Sequence, residues 1–505
     1  MNTVIRRALL AGALALPALA AAPAAPRAQV LEVAVDASPA GLDPHLITAF
    51  ASAQIVFGPV YEGLTAVDAG LAVGPGLAAG WTVSPDGRTY SFTLRPGVTF
   101  HDGTAMEAAD VVASFNRVLS KDIGSPLASR LAALENATAR DARTVVLTLK
   151  EPSAPLLAAL STIAIVPRGF EANKAGLQRQ PVGTGPFKFA EWQPNGFIRL
   201  ARHDGYWQQG VPKLAGVKFN IVPESATRQV GLLGGQYHML ANIDAATALQ
   251  LTGRPGVAVA QTLELSYTLI GMNTSKPPFD NPKVREAVNY ALNREEIVQA
   301  ALFGKGVAAG PLSPALKDWA VDTREFPCYR SDPAKAQALL REAGVSAPLA
   351  VSLLVLPRQD IRDIAQVAQQ QLNKAGFKVE LRNVELGQFV QDWRNSNFEL
   401  FASANAGAVD PDDYFFRTFR SGGSTNVFKY ADTEIDQLLD LGRATVDKSR
   451  RQAIYQAAQK KLACTGPVAH IAYPMLFAAT RTGLSGFEIM ANRSLVSLAR
   501  AGLGR

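Results

Sequence analysis

The pattern of apolar and polar residues between positions 79 and 119 predicts two short strands followed by a helix. Tyr90, Phe92 and Leu94 alternate with polar residues, as a strand with one buried face requires. Turns rich in proline and glycine precede and follow this strand, and a second strand is predicted around Val98 and Phe100. A helical period then begins, carried by Val111, Val112, Phe115, Val118 and Leu119. The pattern predicts local structure here and no chemistry.

The second half of the chain shows the strand, helix, strand order that builds parallel sheets. Apolar runs predict strands at residues 349–356 and 377–384, and a helical period joins them at 361–374. Another helix is predicted after Asn281, which suits the capping position, with Pro282 in the first turn. We therefore expect an α/β fold in this half.

Residues 1–28 have the character of a secretory signal peptide. Arg6 and Arg7 precede an apolar run at 8–22, and Ala20 and Ala22 at its end form the A-x-A pattern that signal peptidases require. The run holds about 15 residues and is broken by Pro17, whereas a bilayer span takes about 20. We expect export and cleavage. Because no cysteine lies near the cleavage site, we expect no lipid anchor and a periplasmic location.

Composition and charge describe a large exported globule with an ordinary surface. Hydrophobic residues make up 48% and charged residues 18% of the 505 positions, enough for two or three domains. The formal net charge is +7, and no run of lysine or arginine stands out. This pattern is typical of a solvated surface, and we expect no nucleic-acid partner.

The chain contains two cysteines, Cys328 and Cys464. In an oxidising compartment they form either one disulfide or two free thiols, and we favour the disulfide. Neither cysteine has a second cysteine or a histidine at ligand spacing, so we expect no metal site.

Motifs for catalysis are missing from the sequence. There is no G-x-S-x-G or H-E-x-x-H segment, and the five histidines are scattered singly. Asp412 and Asp413 could form an acid/base pair, but acidic residues after Asp410 and Pro411 equally suit a helix N-terminus. A glycine-rich segment at 181–187 could hold a phosphate or mark a tight chain crossing. We favour the cap and the crossing.

Four segments together resemble family 5, the peptide/nickel class, of extracytoplasmic solute-binding proteins for ABC importers. They lie within residues 94–111, 181–207, 271–298 and 408–462, in the family's order. The amino-acid sequences of these segments are similar to those of dipeptide- and oligopeptide-binding proteins. The resemblance implies a two-lobed periplasmic binding protein-like fold of type II, in the large class with an extra subdomain in lobe one.

The resemblance also implies a division of the chain and a mechanism. Lobe one would span residues 29–267 with a subdomain at about 60–180, lobe two 268–474, and residues 475–505 would return to lobe one. The lobes would close on a ligand by hinge motion and deliver it to a permease in the inner membrane. We expect a monomer that is not an enzyme and carries no cofactor.

Candidate ligand-binding residues come from the loops and crossings that the family places at the cleft. Arg358 follows a predicted strand and could meet a carboxylate or pair with a nearby aspartate, while the tyrosines could bind ligand or only pack the hinge. The full set is Leu42, Asp43, His45, Tyr267, Arg358, Asn405, Ala406, Gly407 and Tyr473.

The ligand is predicted only as a class. We expect a peptide, a peptide-like solute or an anionic solute, and the alternatives are an opine, a metal chelate, an oligosaccharide, or a periplasmic chaperone or adaptor role. Gly407 stands where peptide-binding relatives often carry the aspartate that pairs with the peptide's amino group. We therefore expect unmodified peptides to bind weakly unless another acidic residue has taken over that role.

Overall fold

The computed structural model describes residues 29–47 and 50–504, so the predicted signal peptide at 1–28 lies outside the described residues. The described chain forms two lobes, each built on a mixed sheet with helices packed against it. Short 3-10 helices occur at Ala128–Leu131, Thr323–Glu325, Pro327–Tyr329 and Val496–Arg500.

The main sheet of lobe one combines the first strand of the chain with strands from residues 187–263. Its elements are β1 (Val30–Val35), α1 (Phe50–Val56) and, after the subdomain, β8 (Phe187–Gln193), β9 (Phe197–Arg202), β10 (Gly216–Ile221), α5 (Ser225–Leu233), β11 (Met239–Ile243), α6 (Ala245–Leu251) and β12 (Val257–Leu263). β1 lies in the middle, parallel to both β10 and β11. Its apolar residues Leu31, Val33 and Val35 anchor the buried core of the lobe.

The subdomain is a four-stranded antiparallel sheet with one long helix. It contains β2 (Thr65–Val67), β3 (Val73–Pro75), β4 (Ala78–Val83), β5 (Thr89–Leu94), α2 (Ala108–Leu119), β6 (Leu134–Asp141), β7 (Thr144–Leu149), α3 (Leu156–Leu160) and α4 (Gly176–Arg179). Alternation in β5 buries Tyr90, Phe92 and Leu94 against the apolar face of α2, as the sequence predicts.

The prediction of a second strand around Val98 and Phe100 is wrong. Around Val98 and Phe100 the structure has a single bridge between Thr99 and Ala105 in place of a strand. Gly97 and Gly103 adopt φ values of +72° and +89°, so turns on both sides leave too few residues for a ladder. Val98 and Phe100 are nevertheless buried in the subdomain core.

Lobe two has the predicted α/β order. Its elements are β13 (Tyr267–Met272), α7 (Pro282–Ala291), α8 (Arg294–Ala301), β14 (Gly306–Ala308), α9 (Pro333–Glu342), β15 (Leu349–Val355), α10 (Gln359–Lys374), β16 (Phe377–Asn383), α11 (Leu386–Arg394), β17 (Leu400–Asn405), α12 (Pro411–Phe419), α13 (Thr433–Ala444) and α14 (Lys448–Thr465). β15 and β16 are parallel, with α10 between them. Asn281 caps α7, accepting from the backbone N–H of Lys283.

Helices cover both faces of the lobe-two sheet. Leu353 and Leu354 are neighbours on β15 but belong to different apolar clusters, because successive side chains of a strand point to opposite faces. One cluster includes α7, α8 and α10, and the other includes α12, α13 and α14.

One long strand, β18 (Val468–Arg481), joins the lobes. Its first part pairs with β13 in lobe two, and its last part pairs with β11 and β12 in lobe one. The chain passes between the lobes first between β12 and β13 and again along β18. It ends in the small pair β19 (Leu484–Ser485) and β20 (Gly502–Leu503).

The glycine-rich segment at 181–187 is a close crossing, as favoured from the sequence. A Cβ on Gly183 would lie 2.1 Å from the carbonyl oxygen of Val60, and one on Gly185 would lie 2.6 Å from that of Pro59. Glycine is required at both positions because the two backbones approach closely, and neither glycine has a left-handed φ.

Candidate functional site

A cavity of about 790 Å³ lies between the lobes. Lobe one contributes the segments around residues 53–67, 127–133, 150–162 and 206–208, and lobe two contributes residues 407–424 and Arg443. The volume falls within the range of small-molecule sites, roughly 300–1,000 Å³. Because both lobes form the walls, a molecule in this cavity contacts both.

The N-terminus of α12 forms the lobe-two wall. Asp410 caps the helix by accepting from the backbone N–H of Asp412 at 2.9 Å, with Pro411 in the first turn. The Asp410 carboxylate is also held by two hydrogen bonds of 2.7 and 2.6 Å from Arg451. This carboxylate lines the cavity, but its charge is already balanced by the guanidinium of Arg451, which binds both of its oxygens.

Asp412, two residues later, is also held by an arginine. It accepts from Arg443 at 2.7 Å and from the Tyr455 hydroxyl at 3.0 Å. Burial raises the pKa of Asp412 above its usual range, and the Arg443 guanidinium opposes that rise. Arg443 lies 3.2 Å from the ring centroid of Phe416, another cavity residue. The ion pair between Asp412 and Arg443 therefore holds this wall in place. Asp412 is also one of the two carboxylates considered as an acid/base pair from the sequence, and its charge is already balanced by Arg443.

The lobe-one wall contains a second carboxyl group with different partners. Glu62 accepts from the hydroxyls of Thr184 at 2.8 Å and Tyr206 at 2.9 Å, and from the indole N–H of Trp207. Burial raises the pKa of Glu62 to about 7, while these three hydrogen bonds and the more distant Arg95 guanidinium oppose the rise. Glu62, Tyr206 and Trp207 all line the cavity and are all partly exposed.

The predicted loop residues Leu42, Asp43 and His45 are buried and do not line the cavity. Asp43 accepts from Arg117 at 2.5 Å, and the side chains of both residues are fully buried. Arg117 also lies 2.9 Å from His45 Nδ1. Burial lowers the pKa of His45 to about 4, so its ring is neutral near pH 7. These residues hold the loop in place beneath Pro44, which does line the cavity.

Three other predicted residues lie behind the lobe-two wall. Asn405 donates to the Tyr267 hydroxyl at 3.2 Å, and the Tyr473 hydroxyl donates to the carbonyl of Gly310 at 3.1 Å. Tyr267 and Tyr473 are 1% exposed, and their rings lie 5.9 Å apart beside Tyr414. The structure brings these residues together, but outside the cavity lining.

Gly407 is the predicted residue that reaches the cavity, and its neighbour Ala406 does not. A Cβ on Gly407 would lie 2.0 Å from the carbonyl oxygen of Leu265 in the first lobe crossing. No side chain, including an aspartate, fits there without moving the crossing. Arg358 lies outside the lining, half exposed, and donates to Asp360 at 2.6 Å, the alternative pairing considered from the sequence.

The two cysteines form a disulfide, with 5.7 Å between the Cα atoms of Cys328 and Cys464. Across the part of the chain that the structure describes, no helix combines the length and apolar character needed to cross a bilayer.

The sequence of the lobes matches a known family. Residues 72–426 match the family described as bacterial extracellular solute-binding proteins, family 5, in its middle region. The chain is a family 5 extracellular solute-binding protein. The family and the two-lobed fold predicted from the sequence are therefore confirmed.

This solute-binding protein is similar to relatives with different stated ligands. It is 30% identical over 490 residues to the glutathione-binding protein GsiB of Salmonella typhi, covering 94% of each chain. The oligopeptide-binding protein AppA of Bacillus subtilis, solved with a nonapeptide, matches with TM-score 0.80 and 27% identity over 95% of this chain and 100% of that one. AgaA of A. tumefaciens, solved with agropinic acid, matches with TM-score 0.80 and 27% identity over 94% and 99%.

Sequence reasoning missed most of the residues that line the cavity of this solute-binding protein. In the sequence, Glu62 lies in the segment from Tyr61 to Leu64, which is read as the end of a helix. Tyr206 and Trp207 belong to the segment at 181–207 that resembles the family, and neither position indicates ligand contact. Their shared site depends on contacts between residues 122 to 145 positions apart. An isolated glutamate beside aromatic residues carries no local pattern that marks such a contact.

Proposed function

We propose that this protein captures a peptide or peptide-like small solute between its lobes and delivers it to an ABC permease in the inner membrane. The observation that carries the proposal is the cavity of about 790 Å³ walled by both lobes. Its size suits a short peptide, and it mixes carboxylates, guanidinium groups and apolar surface. The stated ligands of GsiB and AppA, glutathione and a nonapeptide, support the peptide class.

The protein acts by binding and release, without catalysis. Residues 29–267 and 475–505 move as one body and residues 268–474 as the other, and the ligand stabilises the closed arrangement. The protein works as a monomer in the periplasm after cleavage of residues 1–28. Its binding to the permease follows from its membership of the family.

Among the residues chosen from the sequence, we propose direct ligand contact for Gly407 through its backbone. Tyr267, Asn405, Ala406 and Tyr473 support the lobe-two wall around it. Leu42, Asp43 and His45 support the floor through Pro44. The proposal does not extend to Arg358, whose guanidinium is paired with Asp360 away from the cavity.

Calorimetry and small-angle scattering test the proposal together. Purified mature protein is titrated with glutathione and a di- to pentapeptide library, and the radius of gyration is measured with and without the tightest binder. We expect saturable 1:1 binding and a smaller radius of gyration. An unchanged radius with a bound ligand contradicts the hinged clamp, and native mass spectrometry of protein from its own host identifies a ligand outside the peptide class.

A further inference from the structure

Several carboxylates line the cavity, and they differ in their partners. Asp410 is held by Arg451 and Asp412 by Arg443, so each already has a cation. Glu62 has three neutral donors instead. None of the ion pairs among residues 29–47 and 50–504 involves Glu62.

The donors around Glu62 leave room for one more. A carboxylate offers about four acceptor positions on its two oxygens. Thr184 and Tyr206 occupy one on each oxygen, while the single N–H of Trp207 is shared between both, at 3.3 and 3.2 Å. One acceptor position therefore remains for a group in the cavity, because Glu62 is partly exposed there.

The charged side chains around Glu62 stabilise its ionised form only weakly. Arg95, at the end of β5, lies 4.5 Å from the ring centroid of Trp207 and donates to the carbonyl of Gly76 at 2.6 Å. The other titratable group that contacts Glu62 is Tyr206. Burial raises the pKa of Tyr206, and the positive charge of Arg500, in the C-terminal segment, opposes that rise. A half-buried carboxylate with neutral donors gains most from a cation that arrives with the ligand.

We propose that Glu62, with Tyr206 and Trp207, binds the ammonium group of a free-amine ligand. This inference rests on the proposed function and names the chemistry that the ligand must carry. Glu62 supplies the negative charge that Gly407 cannot supply, since the crossing at Leu265 excludes a side chain there. It names the acidic residue that would take over the role, which was the stated exception to the expectation that free-amine peptides bind weakly.

The first test compares free amines with blocked amines. Wild type, Glu62→Gln and Glu151→Gln are titrated with the peptide library and glutathione, each as the free amine and as the N-acetylated form. Glu151 is an exposed cavity carboxylate of the same lobe, so its variant is a matched control. We expect Glu62→Gln to lose roughly 30-fold or more in affinity for the free amines, and Glu151→Gln to bind like wild type.

The second test reads proton release and separates a direct role from a structural one. Because Glu62 titrates near pH 7, an arriving ammonium group should expel about half a proton at that pH, measurable by calorimetry in buffers of different ionisation enthalpy. Affinity should fall about fivefold between pH 7 and pH 6, because only the ionised carboxyl attracts the cation and a peptide's α-amine stays mostly protonated over this range. Tyr206→Phe removes one donor to the carboxylate and should move this pH dependence to higher pH.

The outcomes distinguish this inference from the proposed function. If wild type binds free amines and Glu62→Gln binds them equally, or Glu151→Gln loses as much, the inference fails and the proposed function stands. Affinity that rises between pH 7 and pH 6 marks Glu62 as a partner for an anion and overturns the inference. If wild type binds N-acetylated probes but no free-amine probe, the inference fails and the proposed function stands; if it binds neither form, the peptide assignment fails as well.

Discussion

The backbone N–H of Ala154 donates a hydrogen bond of 2.9 Å to the carbonyl oxygen of Arg443, and this bond joins the two lobes. Ala154 follows β7 in the subdomain, and Arg443 lies near the end of α13. Beside it, Val446 of lobe two packs close to Gly87 at the tip of the β4–β5 turn. Ser153, Pro155 and Arg443 line the cavity, so these contacts lie beside it.

Filling the space at Gly87 should weaken closure. Gly87 has φ +69°, and a Cβ there would lie 3.3 Å from Val446 Cγ2 and 3.3 Å from Pro152 Cβ. Asparagine tolerates positive φ best among residues with a side chain. We expect Gly87→Asn to lower ligand affinity about tenfold or more by obstructing the closed state, measured by calorimetry.

Gly97→Asn is the matched control for that experiment. Gly97 has φ +72° in the same subdomain, but a Cβ there meets nothing within 4 Å. Both variants carry similar backbone strain, so equal affinity losses would mean that strain and not closure is responsible. With ligand, small-angle scattering should report a larger radius of gyration for Gly87→Asn than for Gly97→Asn.

Arg451 should be essential to the stability of lobe two. Its side chain is 5% exposed and that of Asp410 is 12% exposed, with two hydrogen bonds between them. Removing one partner of a buried pair typically costs about 3–5 kcal/mol because the other charge stays buried. We expect Arg451→Met to lower the free energy of unfolding by that amount in urea titrations. Adding Asp410→Asn should restore part of it, and no recovery would argue against an uncompensated charge as the cause.

The disulfide should contribute to stability through its long loop. Cys328 and Cys464 are 136 positions apart, for which the loop-entropy relation gives roughly 5 kcal/mol. We expect a double Cys→Ser variant to unfold at markedly lower urea concentration. Intact mass after alkylation of the native, unreduced protein should show no modified thiol, and two alkylated cysteines would refute the bridge.

Acid should destabilise the protein through its buried histidines. Burial lowers the pKa of His470 to about 3, and its Nε2 lies 2.7 Å from the Tyr414 hydroxyl. The unfolded chain takes up a proton near pH 6.5 and the folded chain does not, so stability falls as pH drops below 6.5. Between pH 7 and pH 5 this one group should remove about 2 kcal/mol.

His470→Gln should lose that part of the acid sensitivity. We expect urea unfolding at pH 7 and pH 5 to give a smaller loss for the variant than for wild type. Equal losses would show that His470 is protonated in the folded protein at pH 5. His45, with a pKa lowered to about 4, adds a contribution of the same sign that remains in the variant.

The sequence by itself determined the local elements and the family. The alternation of Tyr90, Phe92 and Leu94 fixed a strand, and Asn281 with Pro282 fixed a helix start, because periodicity and caps depend on residues a few positions apart. Family membership was readable because its four segments extend over most of the chain. The strand around Val98 failed because two turn glycines override the apolar pattern.

Only the tertiary structure decided which polar groups reach the cavity. Arg358, Asp43 and Glu62 are all charged residues in or beside loops, and sequence reasoning selected Arg358 and Asp43 as ligand contacts and passed over Glu62. The fold pairs Arg358 with Asp360, buries Asp43 against Arg117, and turns Glu62 towards the cavity with Tyr206, 144 positions away. Such contacts follow from how β18 and the subdomain bring distant segments together, and the electrostatics of each carboxyl follows from that packing.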